Sequence, residues 1–377
     1  MSSNPIEIKN PEFRQLAAQL DDFRIESSKR LDAALILAKK FEPDLSSVCE
    51  IDLHCHSFYS DGYCSPANRV FEAFRRKMKA IAISDHDLFD GQIEALDAGK
   101  IFGVDIIPAV EFYTDRPGIE IIGHFPDPDI FLNLIKSGKT DSDIEKIRKA
   151  KKKQLQGMLQ RIPECFAKFA FKAEILPEDI DRYLRNGISS KGDISVLMWQ
   201  KYANELKKRG ISCDVKDFQA RYTTQDNMLN LPLEIDIDIS PKAFIRRILD
   251  WGGLPGLSHP TEIRNKEKLG NCEIRKIIEE LGNYGLETIE VDGWRNGICP
   301  ESGIHQTLLF DQMRKEYNEK HKERLPLLFT NGSDDHNQPG EGLELGCGKN
   351  NNLNPDYGKY ENINTLRIRT SIKKAKI

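Results

Sequence analysis

The sequence predicts an α/β protein in which strands and helices alternate, with a helical segment inserted into the alternation. From Glu50 onward, short apolar runs alternate with helical segments. The run AIAISDHD at 80–87 is apolar enough to be a strand buried on both faces of a parallel sheet. The alternation stops near residue 130 and resumes after residue 235. Strands separated by short helices predict βα units, and hence a parallel sheet or a barrel.

The composition is that of an ordinary globular protein. The 377 residues are 39% hydrophobic and 30% charged, with a net charge of −4, so no overall field favours nucleic acid or an acidic membrane. No apolar run approaches the roughly 20 residues that span a bilayer, and the N-terminus lacks the features of a secretory signal. The eight cysteines are scattered without a CxxC pair, which favours a reducing, cytoplasmic compartment. No membrane and no obligate protein partner are predicted.

The chain divides into four predicted segments. Residues 1–48 form an N-terminal helical extension, because apolar residues recur near every 3.6 positions from residue 11 until Pro43 ends the run. Residues 49–129 form the first part of the α/β domain, 130–235 the inserted helical segment, and 236–377 the second part with the C-terminal tail.

The predicted elements of the α/β domain follow the same alternation in both parts. In the first part a helix opens at Ser65-Pro66, with proline in its first turn, and a second helix follows Gly91. The strands of the first part are CEIDLH, AIAISDHD, VDIIPAVEFYT and IEIIGHFPD. The second part reads as helix PKAFIRRILDWGG, strand GLPGLSHP, helix CEIRKIIEELGNYG, strand LETIEV, helix IHQTLLFDQMRKEYNEK and strand LPLLFTNG.

Two histidines one residue apart give the first functional signal. His54 and His56 close the first predicted strand. Alternate side chains of a strand point to the same face, so both imidazoles converge on one point and make half of a metal site. A coincidental pair on a solvated strand face is the alternative for this motif taken alone.

Other metal-capable residues also fall where predicted strands end. Six of the eight histidines lie there, each beside a carboxylate or a glycine turn. The full set is His54, His56, Asp61, Asp85, His86, Asp87, Glu111, His124, His259, Asp334 and His336. In a βα barrel the C-terminal strand ends share the face that carries the active site. Imidazole and carboxylate without thiolate suit Zn, Mn or Fe, and so many ligands imply two or three ions, with a carboxylate such as Glu111 as bridge.

These motifs resemble those of the PHP (polymerase and histidinol phosphatase) superfamily of metal-dependent phosphoesterases. The matching pieces are HCHSFYSDG, ISDHD, the glutamate of PAVE, LSHP and GSDDH, in the order of the family, over roughly residues 49–126 and 240–345. The resemblance implies a distorted (β/α)7 barrel, with a trinuclear metal centre at its C-terminal face and a helical cap inserted over its mouth.

The resemblance also implies how the ligands are shared among three metals. The first would be held by His54, His56, Glu111 and Asp334, the second by Glu111, His124 and His259, and the third by Asp61, His86 and His336. Asp85 or Asp87 would orient His86. The chain departs from the family in one place, since many relatives carry a histidine where it has Glu120. Glu120 and His124 share strand parity, so either could be the ligand from the fourth strand.

Basic residues in the insertion are candidate substrate ligands. In relatives with a helical cap, basic residues of the cap meet the substrate phosphate. The candidates here are Arg148, Lys151, Lys152 and Lys191, with a solvated helix face as the alternative for each. Arg295 in DGWRNG, after strand LETIEV, is a further candidate.

The predicted function is hydrolysis of a small phosphate monoester, such as a nucleotide, a bisphosphonucleotide or a sugar phosphate, by attack of metal-bound hydroxide. The predicted catalytic residues are His54, His56, Glu111, Asp334 and His336. One alternative is a nuclease that trims the 5′ end of short nucleic acids, although no basic stripe interleaved with aromatics is present. Another is a non-catalytic interaction domain that metals stabilise.

Overall fold

The computed structural model describes residues 10–183, 190–224, 227–338 and 342–374. The chain forms two compact units. The first comprises Met1–Ser57, Gly62–Thr140 and Asp238–Ile377, and the second comprises Phe58–Asp61 and Asp141–Ile237. No helix in the described ranges combines the length and the apolar character that crossing a bilayer requires.

The strands of the first unit lie in one parallel sheet, one mixed sheet and one short antiparallel pair. The parallel sheet has the order β1-β2-β3, and the mixed sheet has the order β4-β5-β6-β7-β8. The strands are β1 Ile51–Cys55, β2 Ala80–Ile83, β3 Asp105–Ile106, β4 Ala109–Tyr113, β5 Glu120–His124, β6 Leu254–Leu257, β7 Thr288–Gly293, β8 Leu328–Gly332, β9 Leu343–Glu344 and β10 Gly348–Lys349. The residues of β1, β2, β5, β6 and β7 are all buried, as the apolar runs predict.

In the described part of the chain, strand pairing between the two larger sheets is limited to isolated bridges. Cys55 bridges Asp335, and His86 bridges Glu111, both in parallel orientation. The mixed α/β fold is therefore confirmed, but the closed (β/α)7 barrel expected from the sequence is not shown. Regular pairing is interrupted where the register shifts, between Asp52 and Cys55 in β1 and between Glu290 and Asp292 in β7.

The direction of β5 differs from that of its neighbours. β5 pairs antiparallel with both β4 and β6, whereas β6, β7 and β8 are mutually parallel. Glu120, the first residue of β5, is therefore the partner of Tyr113 at the C-terminal end of β4. His124, the last residue, pairs with Ala109 at the opposite end. The strand thus presents its beginning, not its end, at the edge where the other strands terminate.

The helices of the first unit begin at caps that the sequence encodes. Ser65 caps its helix by accepting a hydrogen bond at Oγ from the N–H of Asn68 at 2.9 Å, and Pro66 takes the first position. These helices are α1 Pro11–Leu20, α2 Ser27–Lys40, α3 Pro66–Arg75, α4 Gln92–Phe102, α5 Pro128–Ser137, α10 Pro241–Asp250, α11 Thr261–Glu267, α12 Asn271–Tyr284, α13 Gln306–Lys320 and α14 Glu361–Lys374.

The N-terminal helices α1 and α2 are part of the first unit's core. Leu16 and Leu20 are buried, and the guanidinium of Arg30 forms a buried ion pair with Glu94 of α4, with an Nη2–Oε2 distance of 2.5 Å. The N–H of Ser65 donates to Asp21 at 2.8 Å, directly before α3. Helices α1 and α2 therefore pack against α3 and α4.

The second unit has its own helical core. Its apolar centre includes Met158, Phe166, Met198 and Phe218, all fully buried. Its helices are α6 Asp141–Ala167, α7 Pro177–Tyr183, α8 Lys191–Lys208 and α9 Val215–Phe218, which continues as a π-helix over Gln219–Thr223.

Candidate metal centre

The first group of candidate ligands gathers four side chains from β1, the residue directly after it, β4 and the loop after β8. His54, His56, Glu111 and Asp334 are buried, and each offers one ligand atom within 4.8 Å of the others. Nε2 of His54 lies 3.1 Å from Oε2 of Glu111 and 3.2 Å from Nε2 of His56. Nε2 of His56 lies 3.1 Å from Oδ1 of Asp334. This is the set that the resemblance implied for the first metal.

Close backbone approach makes this group possible. A Cβ at Gly332 would overlap the Cβ of His54, so glycine lets the end of β8 pass directly beside β1. The N–H of Asp334 then donates to the carbonyl of His54 at 2.8 Å. Asp334 and His259 have φ of 50° and 24°, in the left-handed region that costs a non-glycine residue of order 1–3 kcal/mol. Such strain clusters at functional sites, which fits the position of both residues.

Glu111 also faces a second group. Its Oε1 lies 3.0 Å from Nε2 of His259, which is 3.5 Å from Oε2 of Glu120. Glu120, Glu111 and His86 also offer ligand atoms within 4.8 Å of one another. One carboxylate, Glu111, therefore contacts candidate ligands on both sides.

The structure does not bring His124 into these groups, contrary to its predicted place beside Glu111 and His259. His124 is buried and its Nε2 lies 2.8 Å from the carbonyl oxygen of Leu53, to which it donates. Burial lowers the pKa of His124 to about 4, so this ring is neutral at neutral pH. The physical reason is the reversed direction of β5, which puts Glu120 at the site edge and His124 at the other end.

The third group contains His86 and His336, next to His56. The ring centroid of His56 lies 4.6 Å from that of His86 and 4.4 Å from that of His336. The hydroxyl of Tyr113 lies 2.9 Å from Nε2 of His86, a contact that the sequence did not suggest. Asp61 belongs to the segment Phe58–Asp61 of the second unit, and its role as a ligand stays a prediction.

Several buried polar residues hold the ligand-bearing loops in place. Asp85 accepts hydrogen bonds from the N–H and the hydroxyl of Ser57, at 2.8 and 2.6 Å, and so secures the loop after His56. The orientation of His86 by Asp85 or Asp87, which the resemblance implies, stays a prediction. The fully buried guanidinium of Arg69 donates to the carbonyl of His56 at 2.8 Å and to the carboxylate of Asp335 at 2.7 Å. Arg69 thus ties together the loops after β1 and β8.

A further buried carboxylate contacts a candidate ligand from the side away from the cluster. Oε2 of Glu290 lies 2.7 Å from Nδ1 of His54. The strand-end pattern missed Glu290 because it lies inside β7. An acidic residue in the apolar run LETIEV was the signal that could have found it.

Neighbouring charges of both signs shift the pKa values of the candidate ligands. Burial lowers the pKa of His54, but the carboxylates of Glu111, Glu290 and Asp334 outweigh it and raise that pKa well above its ordinary value. Burial raises the pKa of Glu111, but His54, His259 and His86 hold it well below its ordinary range. Ionised carboxylates and imidazole nitrogens facing one another at hydrogen-bond distance form the donor set that a divalent cation takes. The residues present therefore fit a metal centre.

Arg295 lies beside the first group. Its guanidinium pairs with Oδ2 of Asp334, and its Nε lies 3.2 Å from Oε1 of Glu262. The guanidinium also lies 4.7 Å from the ring centroid of Trp294. Arg295 is thus the one predicted substrate ligand that lies in the first unit, next to candidate metal ligands.

The other predicted substrate ligands lie in the second unit. Arg148, Lys151 and Lys152 are on α6, and Lys191 opens α8. Nζ of Lys191 donates to Oδ1 of Asn230 at 2.7 Å. Burial, together with the charge of Lys151, lowers the pKa of Lys191.

Comparison with known families and proteins agrees with these motifs. The model of the PHP domain family matches residues 52–195. A 3′,5′-nucleoside bisphosphate phosphatase of Chromobacterium violaceum is 26% identical over 308 residues, which is 78% of this chain and 90% of that protein. An uncharacterised protein of Methanocaldococcus jannaschii is 31% identical over 172 residues, 42% of this chain and 94% of that protein.

Two further similarities bear on the alternatives. A 5′-3′ exoribonuclease of Haemophilus influenzae is 42% identical over 74 residues, 19% of this chain, and the chain spans only 27% of that protein. The structure of an inferred metal-dependent phosphoesterase from Bifidobacterium adolescentis matches 85% of this chain and 96% of its own, with a TM-score of 0.61 and 20% identity. At that identity the match supports the fold alone.

Proposed function

This chain belongs to the PHP family of metal-dependent phosphoesterases, and we propose that within this class it hydrolyses a small phosphate monoester. The observation that carries the proposal is the position of the Glu111 carboxylate. Its Oε2 lies 3.1 Å from Nε2 of His54 and its Oε1 lies 3.0 Å from Nε2 of His259. A single buried carboxylate that reaches both groups suits a cluster of two or three ions of Zn, Mn or Fe.

The proposed ligand set follows these contacts, with Glu120 in place of His124. The first ion would be held by His54, His56, Glu111 and Asp334, the second by Glu111, Glu120 and His259, and the third by His86 and His336. Asp61 stays the further ligand that the family resemblance implies for the third ion. Bound metals would activate a water molecule near neutral pH and neutralise charge on the phosphoryl group. The catalytic residues of the proposal are His54, His56, Glu111, Asp334 and His336.

Basic side chains would orient the phosphate. Arg295 is held by Asp334 and Glu262, so its guanidinium is fixed in direction beside the ligands. A fixed guanidinium presents paired N–H donors that match phosphate oxygens. Arg148, Lys151, Lys152 and Lys191 of the helical insertion stay proposed phosphate ligands, as the family resemblance implies.

The small monoester is preferred over nucleic acid for two reasons. The relative named as a bisphosphate phosphatase matches 78% of this chain, whereas the match to the exoribonuclease spans 19% of it. The net charge of −4 also gives no general attraction for a polyanion. We place the enzyme in the cytoplasm, because all eight cysteines are free thiols and a reducing compartment keeps them so.

A hydrolysis screen tests the proposal. Protein reconstituted with Mn²⁺ or Zn²⁺ is incubated with a nucleoside monophosphate, a nucleoside 3′,5′-bisphosphate, a sugar phosphate and a short 5′-phosphorylated RNA. We expect release of inorganic phosphate from a small monoester, and none from the Asp334→Asn variant. Release of mononucleotides from RNA alone would favour the nuclease. A fully metal-loaded protein that hydrolyses none of these would favour the non-catalytic domain.

A further inference from the structure

Glu290 contacts the ring nitrogen of His54 that faces away from the other candidate ligands. Oε2 of Glu290 lies 2.7 Å from Nδ1 of His54, and both side chains are almost fully buried. Oε2 of Glu290 is placed to accept a hydrogen bond from Nδ1–H, so a ring that binds a metal ion through Nε2 keeps its proton on Nδ1. The remaining nitrogen, Nε2, is the one that faces Glu111 and His56.

The backbone of His54 is fixed separately. Oδ1 of Asp52 accepts the N–H of His54 at 3.2 Å and that of Ser333 at 2.9 Å, which joins β1 to the loop after β8. Asp52 therefore holds the main chain of His54, and Glu290 holds its ring. The two carboxylates have different tasks, so a change at Glu290 alters the ring without removing the backbone anchor.

We propose that Glu290 is a positioning residue for His54, one that selects Nε2 as the nitrogen available to a metal ion. This inference rests on the proposed metal centre. A carboxylate that accepts from the outer nitrogen of a ligand histidine fixes the ring and makes the inner nitrogen a stronger donor. Glu290 acts through His54 and does not itself meet the substrate.

The chain offers a matched control on the same strand. Asp292 is as buried as Glu290, but its carboxylate accepts from the hydroxyl of Thr307 at 2.8 Å and from the N–H of Asn354 at 2.7 Å. Asp292→Asn therefore removes a buried negative charge from β7 without touching His54. Glu290→Gln keeps the volume and an acceptor oxygen, and Glu290→Ala removes both.

The experiment measures metal affinity and the state of the His54 ring. Affinity for Zn²⁺ and Mn²⁺ is measured by competition with a chelator, and ring nitrogens are followed by ¹⁵N NMR in the Zn²⁺-loaded protein. We expect Glu290→Ala to weaken binding about 10–100-fold. We also expect loss of the hydrogen-bonded Nδ1–H signal of His54. Glu290→Gln should keep the signal with a smaller loss, and Asp292→Asn should match the unaltered protein.

Two outcomes separate this inference from the proposed function. If Glu290→Ala binds metal with unaltered affinity, or if Asp292→Asn weakens binding equally, the positioning role is overturned while the metal centre stands. If the unaltered protein binds no metal, the metal centre is overturned and the positioning role with it. Thermal unfolding of each variant reports whether it is folded. If Glu290→Ala does not fold, the metal affinity and NMR signal of Glu290→Gln decide the test.

Discussion

Glu120 and His124 occupy opposite ends of the same strand, β5, and only the end that carries Glu120 reaches the candidate ligands. Oε2 of Glu120 lies 3.5 Å from Nε2 of His259, whereas Nε2 of His124 bonds the carbonyl of Leu53. Because β5 is antiparallel to β4, it contributes the carboxylate of Glu120 to the proposed site and not the imidazole of His124.

The different positions of Glu120 and His124 predict different results for variants at these two residues. Glu120→Gln should lower metal affinity by at least about 10-fold, because a charged donor is lost. His124→Phe should leave metal content unchanged but lower the free energy of unfolding by about 1–3 kcal/mol, because it leaves the buried carbonyl of Leu53 unsatisfied. Elemental analysis and urea unfolding measure the two effects. Metal loss in His124→Phe with full metal content in Glu120→Gln would restore the histidine as the ligand.

Removing the metal should lower stability. Purified or reconstituted protein should carry more than one transition-metal ion per chain, as elemental analysis can measure. Because ions bind the folded state, binding stabilises it by about 2.7 kcal/mol when the free ion is at 100 times its Kd. Chelation should therefore lower the Tm, and readdition of the metal should restore it. One ion or none after reconstitution would contradict the proposed role of Glu111 as a ligand shared by two ions.

Glu111→Gln should damage the centre more than loss of a terminal ligand. The change keeps the volume but removes the charge that would hold two dications at roughly 3.5–4 Å. The second ion should leave, and kcat should fall by more than the ~10–100-fold typical of changes to outer partners. His336→Gln serves as the terminal-ligand comparison. Full metal content with near-normal turnover in Glu111→Gln would show that Glu111 does not bridge.

Arg295→Met should impair the handling of phosphate but not metal binding. Loss of one well-placed donor to a phosphoryl group costs about 10²–10³-fold in turnover, and we expect kcat/KM to fall in that range. Arg275→Met is a matched control, since Arg275 pairs with Glu316 at 2.7 Å on the outside of the first unit. Equal kinetics in the two variants would return Arg295 to a purely structural role as partner of Asp334.

Asp292 should make stability depend on pH in one direction. Burial, together with Glu290 and Asp52, raises the pKa of Asp292 from 3.8 to about 6. The folded state then binds more protons than the unfolded state between these values, so this group lowers the free energy of unfolding as pH rises through the interval. The advantage of Asp292→Asn over the unaltered protein should grow by up to about 3 kcal/mol between pH 4 and pH 7. Urea unfolding at both pH values tests this, and a constant difference would contradict it.

The strand-end pattern located the residues that parallel strands bring together. His54, His56, Glu111 and Asp334 converge from β1, β4 and β8, which run in the same direction, and the order and parity of these residues can be read from the sequence. Hydrophobic periodicity does not report strand direction, so it gave no reason to prefer Glu120 over His124 on β5. The roles of the ligands themselves stay predictions.

The strand-end pattern did not identify functional residues that lie inside β7 and α3. Glu290 lies within β7 and Arg69 within α3. An acidic residue in the apolar run LETIEV marks Glu290 as unusual, but the sequence does not tell which residues either side chain contacts. Barrel closure was equally out of reach, because it depends on register. The pairing of β1 with β2 and of β7 with β8 shifts at irregularities that no apolar pattern encodes.

The pairing of β5 with β6 has a consequence for how this chain can vary. His124, the last residue of β5, is the register partner of Leu254, the first residue of β6. Everything from 125 to 253 thus leaves and re-enters the sheet at adjacent points, as the loop of a hairpin does. Doubling the length of such a loop costs only about 0.6 kcal/mol in closure entropy. Evolution can therefore lengthen or shorten the part of this segment that belongs to the second unit, Asp141–Ile237, while Glu120 and His259 keep their places.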